Sequence, residues 1–329
     1  MVISKTPLRI SFGGGGTDLP AFYKFEDGKV LSCTIDKYIY VIIKERFDNK
    51  IVLNYTKREV VDDVNDIQHE LVREALIETG ISNGVEIWTP ADIPSKGSGL
   101  GSSSSLTVGL LNAFSIFNGK QLAANDLAKN SCDIEINKLE KPIGKQDQYS
   151  AAYGGLNEIT FCKDNSVLVE PIKISKKNKL VFGSNILLYY TNINRLSSTI
   201  LNEQKANTQK NIDVLQKMKD QVDSIRNVLE KKTEFHEVGH VLHKSWQLKK
   251  KLANTISNKQ IDKMYSIGHN AGAIGGKICG AGGGGFLMLY IPRENQNNVR
   301  NAMKAYKELP FMLEPYGTRI IFNSNRNYW

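Results

Sequence analysis

Three glycine clusters, GGGG at 13–16, GSGLGSSSS at 97–105 and GAGGGG at 280–285, constrain this chain more than any other feature. A single glycine turn is common and says little. The middle cluster is the sharpest. Pro94 limits the approach to it, and Gly97, Gly99 and Gly101 allow backbone N–H groups close to an anion. Ser102 to Ser105 then open a long apolar helix. Helix N-termini carry unsatisfied donors and partial positive charge, which suits a phosphate. A serine hydroxyl at that position can also ligate a phosphate-bound Mg²⁺.

Neither familiar phosphate fingerprint fits. The chain has no Gly-x-x-x-x-Gly-Lys-Ser/Thr, and Ser102 stands where a dinucleotide loop needs its third glycine. GAGGGG satisfies G-x-G-x-x-G but runs into the strand-like FLMLYI rather than a helix.

A length of 329 residues exceeds what one core usually serves, so two domains are expected. The net charge of +9 comes from basic residues scattered along the chain. That favours small anionic substrates over nucleic acid. No run of about 18 apolar residues predicts a membrane span, and MVISKTPLRISF lacks a signal-peptide core. Cys33, Cys132, Cys162 and Cys279 are widely spaced, which fits a reducing cytoplasm.

Period-two and apolar runs predict strands at PLRISF, VLSCTI, YIYVIIKERF, KIVLNY and GVEIW. DIQHELVREALIETG has helical spacing and a closing glycine, and AANDLAKNSCDIEINKLE reads as another helix. The lysine-rich, polar stretch 163–183 reads as a domain junction, followed by the strand NILLYYTN and long helical character. Strands and helices alternate without a βαβ rhythm, which predicts an α+β protein.

PSKGSGLGSSSSL resembles the ATP-binding motif of the GHMP kinases, the superfamily of galactokinase, homoserine, mevalonate and phosphomevalonate kinases. PLRISFGGGGTD is similar to that family's substrate motif, and KICGAGGGGF to its C-terminal glycine motif. The three occur in the family's order across nearly the whole chain. The resemblance implies a ribosomal protein S5 domain 2-like N-domain (1–170), a ferredoxin-like C-domain (180–329) and an active site between them. ATP and Mg²⁺ are the implied cofactors. The nucleotide would lie on Pro94, Lys96, Gly97, Ser98, Gly99, Leu100, Gly101, Ser102, Ser103 and Ser104. GKQDQ resembles the galactokinase-type segment, implying Asp147 as general base, with Arg9 stabilising the emerging alkoxide. Glu135, twelve residues earlier, and Ser103 would hold Mg²⁺.

Galactokinases carry Glu-His before the Thr-Asp of the first motif, whereas this chain has Gly15 and Gly16. The change enlarges the pocket and exposes backbone donors, which would accommodate a larger acceptor or one bearing its own phosphate. Gly14, Gly15, Gly16, Thr17, Asp18, Lys145, Arg195, Gly282 and Gly283 are the expected acceptor-side residues. Lys96 and Lys277 also lie near the motifs. RISFGGGGTDLP, IGKQDQYSAAYGG and KICGAGGGGF are most similar to the D-glycero-D-manno-heptose 7-phosphate kinase branch. The implied partners are a small sugar phosphate and ATP, handled by a monomer or homodimer. A fucokinase- or galactokinase-like enzyme and a non-catalytic sugar-phosphate sensor are the alternatives.

HEVGH at 236–240 spells a zinc-protease motif, but the metzincin third-histidine position holds Trp246. Val238, Leu242, Trp246 and Leu248 instead predict the packed stripe of an ordinary helix.

Overall fold

The computed structural model describes residues 1–93, 97–193, 197–231 and 233–324. The first half runs β1 (Val2–Gly13), α1 (Pro20–Tyr23), β2 (Gly28–Glu45), β3 (Ile51–Asn54), β4 (Arg58–Val61), α2 (Glu70–Thr79) and β5 (Val85–Trp88). It continues through α3 (Ser102–Phe117), α4 (Ala124–Cys132), α5 (Gln146–Tyr153), β6 (Leu156–Phe161) and β7 (Val167–Pro171). The second half holds α6 (Lys176–Ser184), β8 (Ile186–Tyr190), α7 (Ser197–Ala206), α8 (Ile212–Lys231), α9 (His236–Lys249) and α10 (Lys259–Asn270). Then come β9 (Gly275–Ile278), β10 (Phe286–Tyr290), α11 (Gln296–Ala302) and β11 (Arg319–Asn323).

The first sheet is ordered β11-β1-β2-β5-β3-β4, with β6 on β2 and β7 beyond β6. It forks because β2 is long: Gly28–Cys33 pairs with β6, while Ile42–Glu45 pairs with β5. The sequence suggests two strands here. The structure makes one, with Asp36 and Lys37 bulged out where β1 steps from Leu8–Ile35 to Pro7–Tyr38. The second sheet is β8-β10-β9, antiparallel. This is a mixed α+β architecture in two parts.

The stretch 163–183, which reads as a polar junction, contains β7 and α6. β7 is half exposed at the sheet edge, which is why its pattern looks polar. At the other end of the chain, β11 returns to β1, so residues 319–323 lie in the first sheet even though they follow the second-half elements.

Burial explains the helices. In α8, Leu215, Met218, Val222, Ile225 and Leu229 recur at helical spacing and are all buried. Val238, Leu242 and Trp246 of α9 form the stripe expected of HEVGH and its continuation. At about 1.5–3 kcal/mol for each fully buried large apolar side chain, that stripe explains α9 without any ligand. One apolar cluster lies between the first sheet and helices α2, α3, α4 and α5. A second joins Leu8, Ile10 and Phe12 of β1 to Val222, Leu242 and Met288 of the second half. The two halves therefore share a core, and the glycine loops meet along their common edge.

Candidate active site

Arg9 sits in mid-β1 with 4% of its surface exposed. Its Nε and one terminal nitrogen each donate to Asp147 at 2.7 Å, and the other terminal nitrogen donates to the Gly99 carbonyl at 2.7 Å. A bidentate guanidinium–carboxylate pair of this kind is strong and fixes the orientation of both planes. The Arg9 backbone N–H also donates to the Leu100 carbonyl at 3.0 Å, stitching the second glycine loop to β1. Three of the guanidinium's donor bonds are thus used inside the protein. Arg9 positions Asp147 and, with donors to spare, also lines the cavity beside it. Gly101 lets this assembly close: its φ is +79°, and a Cβ there would lie 3.3 Å from both Arg9 and the Asp147 carboxylate.

Beyond Gly101 the chain turns into α3. Gly101 is the N-cap and no side chain caps the helix, so the first-turn amides have no side-chain acceptor. Ser98 and Ser102 share a hydroxyl–hydroxyl bond of 2.9 Å. The Leu100 side chain is fully buried in the shared core and anchors the loop. Ser103 is exposed, and its Oγ donates to Glu135 Oε1 at 2.6 Å. Glu135 belongs to a π-helical stretch, Asp133–Lys138, that continues α4. Such turns often present functional side chains. Glu135 has no exposed surface, and its other oxygen accepts from Gln148 Nε2 at 2.6 Å. Burial pushes its carboxyl above the ordinary range, opposed by its bonds to Ser103, Ser104 and Gln148 and by the charge of Lys141. Beside Ser102 and Ser103 runs a groove of about 880 Å³ walled by Tyr55, His69, Pro90 and Asp92.

On the Asp147 side of Gly101 lies a cavity lined by Arg9, Asp147, Gly15, Gly16 and Asp18. Asp18 accepts from the Gly16 N–H at 3.1 Å and the Gln146 N–H at 3.3 Å. Burial first, and then the charge of Asp147, raise its pKa. Other residues of the motifs serve structure. Gly14 packs against Lys29, and Thr17 closes the turn through the Gly14 carbonyl at 2.8 Å and the Lys29 carbonyl at 2.9 Å. Gly282 and Gly283 lie against Ile256, where the Gly283 N–H donates to the Ile256 carbonyl at 2.6 Å. Lys145 does not line the cavity. Its ammonium lies 4.7 Å from the Tyr23 ring and donates to the Asn165 carbonyl at 3.2 Å. Pro94, Lys96 and Arg195 lie outside the described residues.

The second and third glycine loops pack backbone to backbone. A Cβ on Gly99 would collide with the Cys279 carbonyl, and the Phe286 N–H donates to the Ser98 carbonyl at 3.2 Å. Lys249 of α9 donates to the Gly280 carbonyl and holds the third loop in place.

The GHMP kinases N terminal domain matches residues 65–155, and the GHMP kinases C terminal domain matches 222–309. D-glycero-alpha-D-manno-heptose 7-phosphate kinase of Campylobacter jejuni is 30% identical over 318 residues, covering 92% of each chain. The chain belongs to the GHMP kinase family. It is a phosphotransferase with an alcohol acceptor. A crystal structure of a D-glycero-D-manno-heptose 1-phosphate kinase from Bacteroides thetaiotaomicron superposes with a TM-score of 0.82. It is 25% identical and covers 98% of this chain and 99% of its own. The L-fucokinase/L-fucose-1-P guanylyltransferase of Bacteroides fragilis is 25% identical over 342 residues, covering 91% of this chain and 35% of that protein.

Among the polar side chains of the cavity of this GHMP kinase, Ser11, Gln146, Gln204 and Lys249 were not singled out from the motifs. Ser11 and Gln146 touch the motifs in sequence and could have been added by adjacency. Gln204 and Lys249 lie on α7 and α9, far from any glycine cluster, and only the fold brings them in.

Proposed function

We propose that this GHMP kinase transfers the γ-phosphoryl group of Mg·ATP to the anomeric hydroxyl of a sugar phosphate, D-glycero-D-manno-heptose 7-phosphate, giving the 1,7-bisphosphate. Its place is then in making nucleotide-activated heptose for surface polysaccharide, in the cytoplasm where ATP is available. No helix among the described residues is long and apolar enough to cross a membrane. The observation that carries the reading is the Arg9-clamped Asp147. It faces a cavity floored by Gly15, Gly16 and Asp18, with the uncapped start of α3 on the far side of Gly101.

In this reading the α3 amides and Ser102–Ser104 receive the nucleotide's phosphates, and the groove beside Tyr55 and His69 takes the base and ribose. Asp147 orients the acceptor hydroxyl and takes up its proton as the new P–O bond forms and the bond to ADP breaks. Phosphoryl transfer depends mainly on such positioning and on charge stabilisation. Ser103 Oγ and Glu135 Oε1 suit Mg²⁺: both are oxygen donors and lie together. The hydrogen-bond donors to the fully buried Glu135 are neutral and Lys141 acts on it only through its charge, so a divalent ion would add the countercharge that burial calls for. When bound, the ion neutralises charge on the β- and γ-phosphate oxygens. Asp18 holds the Gly16 and Gln146 backbones so that the acceptor meets a preformed surface. We also assign 1–170 and 180–329 as the two domains, with β11 crossing back to the first sheet.

The fucokinase of Bacteroides fragilis motivates a second reading, in which the acceptor is an unphosphorylated sugar. A panel of sugars and sugar phosphates with Mg·ATP, read by ADP release, separates the two. The heptose 7-phosphate should give the highest kcat/KM. Preference for free fucose or galactose would replace the acceptor assignment, and no ADP release with any acceptor would remove the catalytic reading in favour of a sensor.

A further inference from the structure

Lys277 lies in β9 opposite Met288 of β10, and only 2% of its surface is exposed. It lines the same cavity as Arg9, Asp18 and Asp147. The cavity's other two cations are engaged: Arg9 is bound to Asp147 and Gly99, and Lys249 donates to the Gly280 carbonyl. Lys277 differs. Among the described residues its ammonium makes no hydrogen bond or salt bridge, and the titratable groups that act on it are the buried Cys279 thiol and Arg9, neither a carboxylate. Burial, with a smaller contribution from Arg9, lowers its pKa to about 8.

A buried ammonium without a partner is costly, and proteins seldom keep one unless something completes it. The missing partner must be an anion small enough to enter the cavity. Two phosphates could arrive there in a kinase: the one being transferred and the one already on the acceptor. The position of Lys277 favours the second. It is not among the residues of the α3 loop or of the groove beside it; it lies on the second sheet and lines the cavity together with Gly15, Gly16 and Asp18, the expected acceptor-side residues. Lys145 is turned away onto Tyr23, so Lys277 is the described lysine near the motifs that lines the cavity without a protein partner.

We infer that Lys277 is the specificity-determining residue that docks the acceptor's own phosphate, making this kinase select a phosphorylated sugar over a neutral one. The inference rests on the kinase reading above and adds the group that recognises the acceptor's charge.

The test is equilibrium binding to the full-length, nucleotide-free protein, comparing wild type with Lys277→Met and Lys277→Arg. The probes are D-glycero-D-manno-heptose 7-phosphate, the same sugar without phosphate, inorganic phosphate and a non-hydrolysable ATP analogue. Lys277→Met should weaken sugar-phosphate and inorganic-phosphate binding by about 30-fold or more, the scale of losing a hydrogen bond to a charged group. The unphosphorylated sugar and the ATP analogue should shift by less than about 2-fold, and Lys277→Arg should recover part of the loss. Folding is controlled by melting the ligand-free proteins. Removing an unpaired buried charge should leave Lys277→Met at least as stable as wild type. Unchanged sugar-phosphate affinity overturns the proposal. So does an equal loss for the ATP analogue, because that places Lys277 on the transferred group. These binding results do not depend on turnover. Failure of the kinase reading shows separately, as wild type releasing no ADP with any acceptor.

Discussion

Two carboxylates of the site, the partly buried Asp147 and the fully buried Glu135, are treated differently. Asp147 is gripped by a guanidinium through two bonds of 2.7 Å. Glu135, with no exposed surface, accepts from serine hydroxyls and a glutamine amide with only the charge of Lys141, unbonded to it, nearby, and its pKa is raised by burial. A carboxylate already paired with a cation is set as part of the framework, and its lone pairs have fixed directions. A buried carboxylate facing neutral donors is incomplete until a cation arrives. Lys277 is the same situation with the sign reversed. The contrast separates groups that hold the site's shape from groups that wait for ligands.

The largest effect should come from the paired carboxylate. Asp147→Asn keeps the shape of the side chain but cannot accept the acceptor's proton, so kcat should fall by about 10²–10⁴-fold. Affinity for an ATP analogue should stay within about 3-fold, and turnover near wild type would remove Asp147 from the reaction. Arg9→Lys sharpens the same side of the comparison. A lysine cannot span both carboxylate oxygens and the Gly99 carbonyl, so kcat should drop by about 10-fold or more and the protein should lose about 2–4 kcal/mol of stability. Equal stability in a denaturant titration would show that the clamp is not structural.

Glu135→Gln tests the other side. Burial raises the Glu135 pKa above its usual 4.5, so wild type carries no penalty below the unfolded value. The cost of ionising or holding the buried acid grows as pH rises from there through the folded value. The Gln variant should therefore melt about 2 °C or more above wild type at pH 7, with the gap closing toward pH 4. Mg²⁺ with an ATP analogue should stabilise wild type and not the variant. A variant that melts lower at pH 7, or that keeps the Mg²⁺ response, would break the comparison. The smallest effect belongs to Lys145→Ala. With its ammonium on Tyr23 and Asn165, outside the cavity, acceptor KM should change by less than about 2-fold in steady-state assays.

Local features of the site were legible in the sequence. The second glycine loop, its serine-led helix, and the strand–turn entry at Gly13–Gly16 are contiguous, and their chemistry follows from backbone donors and φ freedom. Motif position singles out Asp147, Glu135 and Ser103, and the structure brings Ser103 and Glu135 into contact. What escaped was non-local. Glycines 99, 280 and 285 are small because two loops, about 180 residues apart, press backbone on backbone, a reason no single loop reveals. Arg9 shows no sign of its partner 138 positions away. Lys249 and Gln204 sit on helices whose polar faces resemble ordinary solvent-facing ones. The return of β11 to β1 leaves no mark in a five-residue run that looks like any edge strand.

A crystal structure with Mg²⁺, a non-hydrolysable ATP analogue and D-glycero-D-manno-heptose 7-phosphate tests the central arrangement most directly. It should place the β- and γ-phosphates on the amides that begin α3, the anomeric hydroxyl within about 3 Å of Asp147, and the 7-phosphate on Lys277. A nucleotide bound away from residues 97–105, or an acceptor whose reacting hydroxyl turns from Asp147, would contradict the account.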